Sequence, residues 1–197
     1  MRSRGHDDAG QAFPIYITVV AGLLFLAFAY LAVGQASVNR SGAQTAADAA
    51  ALAAAQDERN QLAGLWLDDV QDPTKWQDIF HGKAEVADSC WRAGQLAAQN
   101  DARLDSCHPL SPLRFKTEVT TNKSVGASVV PNTESIQSAA SAIAEIKPLC
   151  TFDPPGEDAE ADVLPKLNCD GKVWELDPDD QARLPKPEDL FDVHLAD

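Results

Sequence analysis

No Asp, Glu, Lys or Arg occurs between Ala9 and Asn39. Within that stretch Phe13 to Val33 reads FPIYITVVAGLLFLAFAYLAV, interrupted only by Pro14, Thr18 and Gly22. A helix needs about 20 apolar residues to cross a bilayer core, so residues 13–38 are expected to form a transmembrane helix. Tyr16 and Tyr30 lie near its ends, where amphipathic rings favour the interface. Ala32-Val33-Gly34 also resembles a small-x-small signal cleavage site. A signal h-region runs to only about 15 residues, however, and the greater length favours an uncleaved anchor. Arg2 and Arg4 precede the span and only Arg40 closely follows it. The excess of positive charge on the first side predicts a short cytoplasmic N-terminus, residues 1–12, and an extracytoplasmic body.

Charge and cysteine placement point the same way. The chain carries −14 over 197 residues, yet residues 1–40 sum to +1 and residues 151–197 alone hold 14 acids against 4 bases. Such an acidic body cannot release counterions from a nucleic acid, so that class of partner is excluded. All four cysteines, Cys90, Cys107, Cys150 and Cys169, follow the span. An even count on one side fits disulfides formed in an oxidising compartment. Three connectivities are open; Cys90–Cys107 with Cys150–Cys169 is favoured because each closes a short loop.

Nine of the thirteen residues from Ala43 to Ala55 are alanine, the strongest intrinsic helix former. The span is therefore expected to continue as a helical stem over residues 39–57, with Gly42 the expected place for a bend. Gly22, Ala29, Ala36, Ala43 and Ala50 recur every seven residues, with Ala32, Ala46 and Ala53 between them. A stripe of small residues lets a second helix approach closely, so these five positions are the candidate helix-docking face. An alanine-rich helix also shows small residues on every side, and from 43 to 55 that plainer explanation competes strongly.

The body, residues 58–197, is expected to be an α+β domain, with helices first and antiparallel strands later. Asp72-Pro73 reads as the start of a helix through Trp76 and Phe80. A second helix is expected from Ala84 to Arg103, broken beyond by Pro109 and Pro112. Phe115, Thr117, Val119 and Thr121 alternate with polar neighbours as in a half-buried strand, and Val125 to Val130 reads as another. Ser138 to Lys147 fits either a helix or a strand ending at Pro148; the strand is preferred. Asp170-Gly171 is a two-residue hairpin turn, and Phe191, Val193 and Leu195 alternate as a last strand. Residues 153–165 and 177–189, rich in Pro and acids, read as exposed loops.

Signatures of chemistry are missing from the sequence. It has no GxSxG, Walker loop, HExxH or EF-hand pattern, and no CxxC. His6, His81, His108 and His194 are scattered. Asp177, Asp179 and Asp180 read as a solvated turn rather than a calcium site, and Trp66, Trp76, Trp91 and Trp174 as packing residues. No catalytic residue, metal site or cofactor is expected.

The stretch GQAFPIYITVVAGLLFLAFAYLAVGQA followed by GAQTAADAAALAAA resembles the N-terminal region of Flp/Tad pilus-assembly proteins of the TadE/TadG-like group. Gln44 to Ala53 carries the strongest likeness. The body looks like the short ectodomains of TadG-related proteins, through Cys90-Trp91, Ser124 to Pro131, Cys150, Cys169 and Asp189 to Leu195. The resemblance implies a non-enzymatic, membrane-anchored part of a Tad (type IVc) pilus or secretion assembly, with other pilus-assembly or pilin-like membrane helices as partners. Homo- or hetero-oligomers are both compatible with it. Ile15 stands where cleaved pseudopilins of this system have glutamate, so peptidase processing is not implied. No von Willebrand-type DxSxS motif is present, so ion-dependent adhesion is not implied either. The alternative expectation is a membrane-tethered extracytoplasmic module that binds a ligand or ion.

Overall fold

The computed structural model describes residues 12–124, 135–154, 164–178 and 180–196. Its dominant element is one uninterrupted helix, α1 (Ala12–Asp68), of 57 residues. At 1.5 Å per residue it is about 85 Å long. Pro14 sits in the first turn, where no intrahelical donor is lost, and nothing after it breaks the run. The Thr18 hydroxyl donates to the Pro14 carbonyl at 2.7 Å, which keeps this polar group off the apolar surface. The helix continues through Gly42 and past the expected end of the stem, finishing eleven residues into the region expected to be the body.

Beyond α1 the chain turns sharply. Pro73 opens α2 (Pro73–Phe80), and the Trp76 indole N–H donates to the Asp69 carbonyl at 3.0 Å, closing the corner. The expected helix over 84–103 is shorter, α3 (Cys90–Gln99). Its start is set by the Asp88 carboxylate, which accepts the Cys90 N–H at 3.0 Å. Residues 84–89 instead lie non-helical beside α1, where the Ala87 N–H donates to Gln61 Oε1 at 2.7 Å. Asp101, in the left-handed region at φ 55°, ends the helical path, and a strand begins at Ala102, inside the expected helix.

That strand is β1 (Ala102–Ser111). It pairs with β2 (Arg114–Ser124), which pairs with β3 (Gln137–Pro148). A smaller antiparallel sheet follows: β4 (Cys150–Phe152), β5 (Leu167–Cys169) and β6 (Lys172–Trp174). After a 3-10 turn and the short α4 (Pro187–Leu190), the last strand β7 (Phe191–Leu195) completes the larger sheet in the order β1-β2-β3-β7, all antiparallel. Pro109 is tolerated because β1 is an edge strand with one side free of ladder bonds. The expected strands at 115–121, 138–147 and 191–195 are all present, and Asp170 (φ 48°) with Gly171 (φ 81°) makes the hairpin turn. The expected strand over 125–130 lies outside the described residues. The segment 177–189 is not wholly an exposed loop: Leu184 and Pro185 are buried, and Asp189 caps α4 by accepting the Lys186 N–H at 2.9 Å.

The second half of α1 lies across one face of the larger sheet. Phe115, Thr117, Val119 and Thr121 of β2 and Ala142, Ala144 and Ile146 of β3 point into this layer. Against them stand Ala46, Ala47, Ala50, Ala51, Ala54 and Ala55, all fully buried. Small side chains on both surfaces allow a close helix-to-sheet approach. The buried Thr117 hydroxyl therefore reaches the helix backbone, donating to the Ala47 carbonyl at 3.1 Å. Toward the far end of α1 the packing becomes aromatic: Trp66 meets Trp76 at 5.4 Å, Trp76 meets Phe152 at 5.2 Å, and Phe80 meets Phe191 at 5.4 Å between ring centres. The alanine-rich segment is thus not a free stem. From Ala43 onward it is the central helix of the α+β body.

Two disulfides brace this arrangement. Cys90–Cys107 ties α3 to β1, and Cys150–Cys169 links facing residues of β4 and β5. Both match the short-loop pairing expected from the sequence.

Candidate membrane and helix-docking face

The first half of α1 touches almost nothing. Its apolar side chains stand in the open: Phe13, Ile15, Leu23, Phe25 at 72% exposure, Phe28, Tyr30 at 82%, Leu31, Val33 and Val38. This is the one helix among the described residues long and apolar enough to cross a membrane. Exposed apolar patches on water-soluble monomers rarely exceed a few hundred Å². A helix apolar on all sides, with no protein around it, is suited to lipid.

The five candidate docking residues fall on both halves. Gly22 is open, with nothing within 4 Å of where a Cβ would stand; Ala36 is exposed and Ala29 half-buried. Ala43 and Ala50 are 0% exposed, buried within the chain itself. They cannot face a partner helix while the body is folded. The candidate face is therefore reduced to Gly22, Ala29 and Ala36, and the heptad spacing runs across a boundary between two environments.

A notch of about 620 Å³ marks that boundary. One wall is helical: Tyr30, Leu31, Gly34 and Val38. The facing rim is the near end of the body, with Asn100, Asp101, Thr121 and Lys123. The Asn39 amide donates to the Lys123 carbonyl at 3.3 Å, fastening the rim to the helix at this level. Lys123 Nζ and Asp101 Oδ2 pair at 3.0 Å with both side chains largely exposed. Nothing in the sequence signals this site, because residue 39 and residue 123 meet only through the fold.

A second groove of about 500 Å³ lies between α1 and α3, lined by Ala53, Gln56, Asp57, Trp91 and Arg92. Trp91 is 59% exposed, so it is not the packing residue expected, whereas Trp66 and Trp76 are fully buried. On the same stretch of α1, burial raises the Glu58 carboxyl above its ordinary value, with the neighbouring Asp57 charge adding to the effect. The remaining polar candidates stay apart. His81 and His108 are exposed, and His194 pairs with Asp192 at 2.9 Å. Asp180 pairs with Arg183 at 3.7 Å. His6 and Asp179 lie outside the described residues. Among the described residues no three His, Cys, Asp or Glu side chains gather as a metal site would require.

The family model for Flp pilus-assembly TadE/G-like proteins matches residues 10–57. This segment is TadE/G-like. The match covers the bare apolar half of α1 and continues into its buried alanine half, ending before the helix does. The TadE/G-like segment therefore includes the residues that hold the body's sheet, as well as those that stand free of it. No curated protein and no solved structure matches the chain.

Proposed function

We propose that the protein is a non-enzymatic, single-pass membrane component of a Tad (type IVc) pilus or secretion assembly. Residues 13–38 cross the cell membrane, residues 1–12 remain cytoplasmic and the acidic, disulfide-bonded body stands outside. The observation that carries this reading is the division of one TadE/G-like helix into a bare apolar half and a half buried in its own domain. A helix unbroken from lipid into a protein core transmits its position rigidly, so whatever grips the membrane half sets the orientation of the body above it. Gly22, Ala29 and Ala36 offer the small-residue surface on which other pilus-assembly or pilin-like helices dock.

The test replaces residues 13–38 by an unrelated, Leu-rich membrane helix in the full chain. The swapped protein is expected to reach the membrane and fold, yet to lose crosslinks to its assembly partners. Full retention of those crosslinks would reduce α1 to a tether and refute the docking role.

A further inference from the structure

The level of the notch on α1 can be set against the bilayer. If Pro14 to Val33 fills a hydrocarbon core of about 30 Å, the outer boundary of that core lies near Gly34. Tyr30 then sits about 6 Å below it and Val38 about 6 Å above it, at 1.5 Å per residue. The polar layer of one leaflet is about 5–7 Å deep. The notch consequently straddles the change from acyl chains to headgroups. Its lining changes at the same height: the lower wall is Tyr30, Leu31 and Gly34, and the rim above carries Asp101 and Lys123. These two opposite charges lie 3.0 Å apart and remain largely exposed.

Resting on the membrane-anchor reading, we propose that the notch seats one zwitterionic, amine-bearing phospholipid of the leaflet on the body's side. Lys123 Nζ takes the phosphate, Asp101 takes the ammonium group, and the acyl chains descend along Leu31 and Gly34. The pairing of signs matches a phosphoethanolamine headgroup, whereas an anionic lipid brings no ammonium group for Asp101 and would face a strongly acidic body. The bound lipid fills the gap between helix and body at the height where the body meets the membrane.

The experiment reconstitutes the full chain in nanodiscs of phosphatidylethanolamine and phosphatidylglycerol, releases it into mild detergent and weighs it intact by native mass spectrometry. One retained phosphatidylethanolamine per chain is expected. Lys123→Gln with Asp101→Asn should lower the retained fraction about tenfold, each losing a charge-assisted contact. Gly34→Leu, which has open space around its new side chain, should do the same by filling the wall. Leu24→Ala, away from the notch and from the docking face, should leave retention unchanged. Loss of all lipid from the wild type, equal retention by the notch variants, or preference for phosphatidylglycerol would each overturn the proposal. A chain that enters the nanodisc but keeps no lipid refutes the lipid site alone. A chain that never enters refutes the anchor as well.

Discussion

Ala50→Leu distinguishes a core helix from a docking helix. Ala50 is 0% exposed beneath the larger sheet, and leucine would add three carbon atoms there. Leucine is almost as good a helix former as alanine, so the helix itself loses little. The cost is overpacking, about 1–3 kcal/mol for extra methylenes forced into a filled core. For a body of this size 1 kcal/mol corresponds to about 3–4 °C in Tm, so a fall of about 3–12 °C is expected. Intrinsic fluorescence of the full chain in detergent reports it, because Trp66 and Trp76 lie in the same core. Ala36→Leu is the control: its side chain is exposed, and Tm should move by no more than about 2 °C. Partner crosslinking should show the reverse pattern, with Ala36→Leu weakening it and Ala50→Leu leaving it intact below the melting transition. An unchanged Tm for Ala50→Leu, with loss of oligomers, would mean that this alanine packs against another chain and not against the sheet of its own body.

Glu58 gives a pH test. Burial holds its carboxyl above the ordinary glutamate value, so the folded state keeps that proton more tightly than the unfolded state, and stability is lost as pH rises through the raised value. Glu58→Gln should melt higher than wild type at pH 7–8, with the two curves converging below about pH 4.5, the ordinary value. Replacing Cys150 and Cys169 together by serine opens a loop of sequence separation 19 and should cost about 3 kcal/mol, read from chemical unfolding. Gly82→Ala should destabilise by more than about 1 kcal/mol in the same measurement. Gly82 has φ +64°, and a Cβ there would stand 2.7 Å from the Leu113 side chain.

Much of this architecture is legible in the sequence where side-chain pattern and geometry coincide. Pro73 marks α2, the alternation from Phe115 marks β2, and Asp170-Gly171 marks a hairpin turn. The preference for a strand at 138–147 agrees with β3 because its alternate residues Ala142, Ala144 and Ile146 all enter the core. The inward packing of residues 43–55 is not legible, because alanines on nearly every side of a helix do not distinguish a buried face. What buries them is the distant surface of β2 and β3, where the small Ala142 and Ala144 stand beside Phe115 and Ile146. The edge strand β1 is hidden by its polar residues and Pro109, and the end of α3 by an aspartate in an unusual backbone conformation. Of the candidate docking face, spacing finds all five small residues. It cannot show that the body claims Ala43 and Ala50 for itself.

The central claim is that one continuous helix leaves lipid and enters the core of its own body between Val38 and Ala43. Single cysteines introduced along α1 test it directly, since all four native cysteines are held in disulfides. Intact vesicles carrying the full chain are treated with a membrane-impermeant maleimide, before and after the bilayer is dissolved. A cysteine at Leu24 should label only after dissolution, one at Ser41 should label in both states, and one at Ala47 should label in neither until the body is unfolded. Labelling of Leu24 in intact vesicles as fast as Ser41, or of Ala47 in the folded chain, would contradict the account.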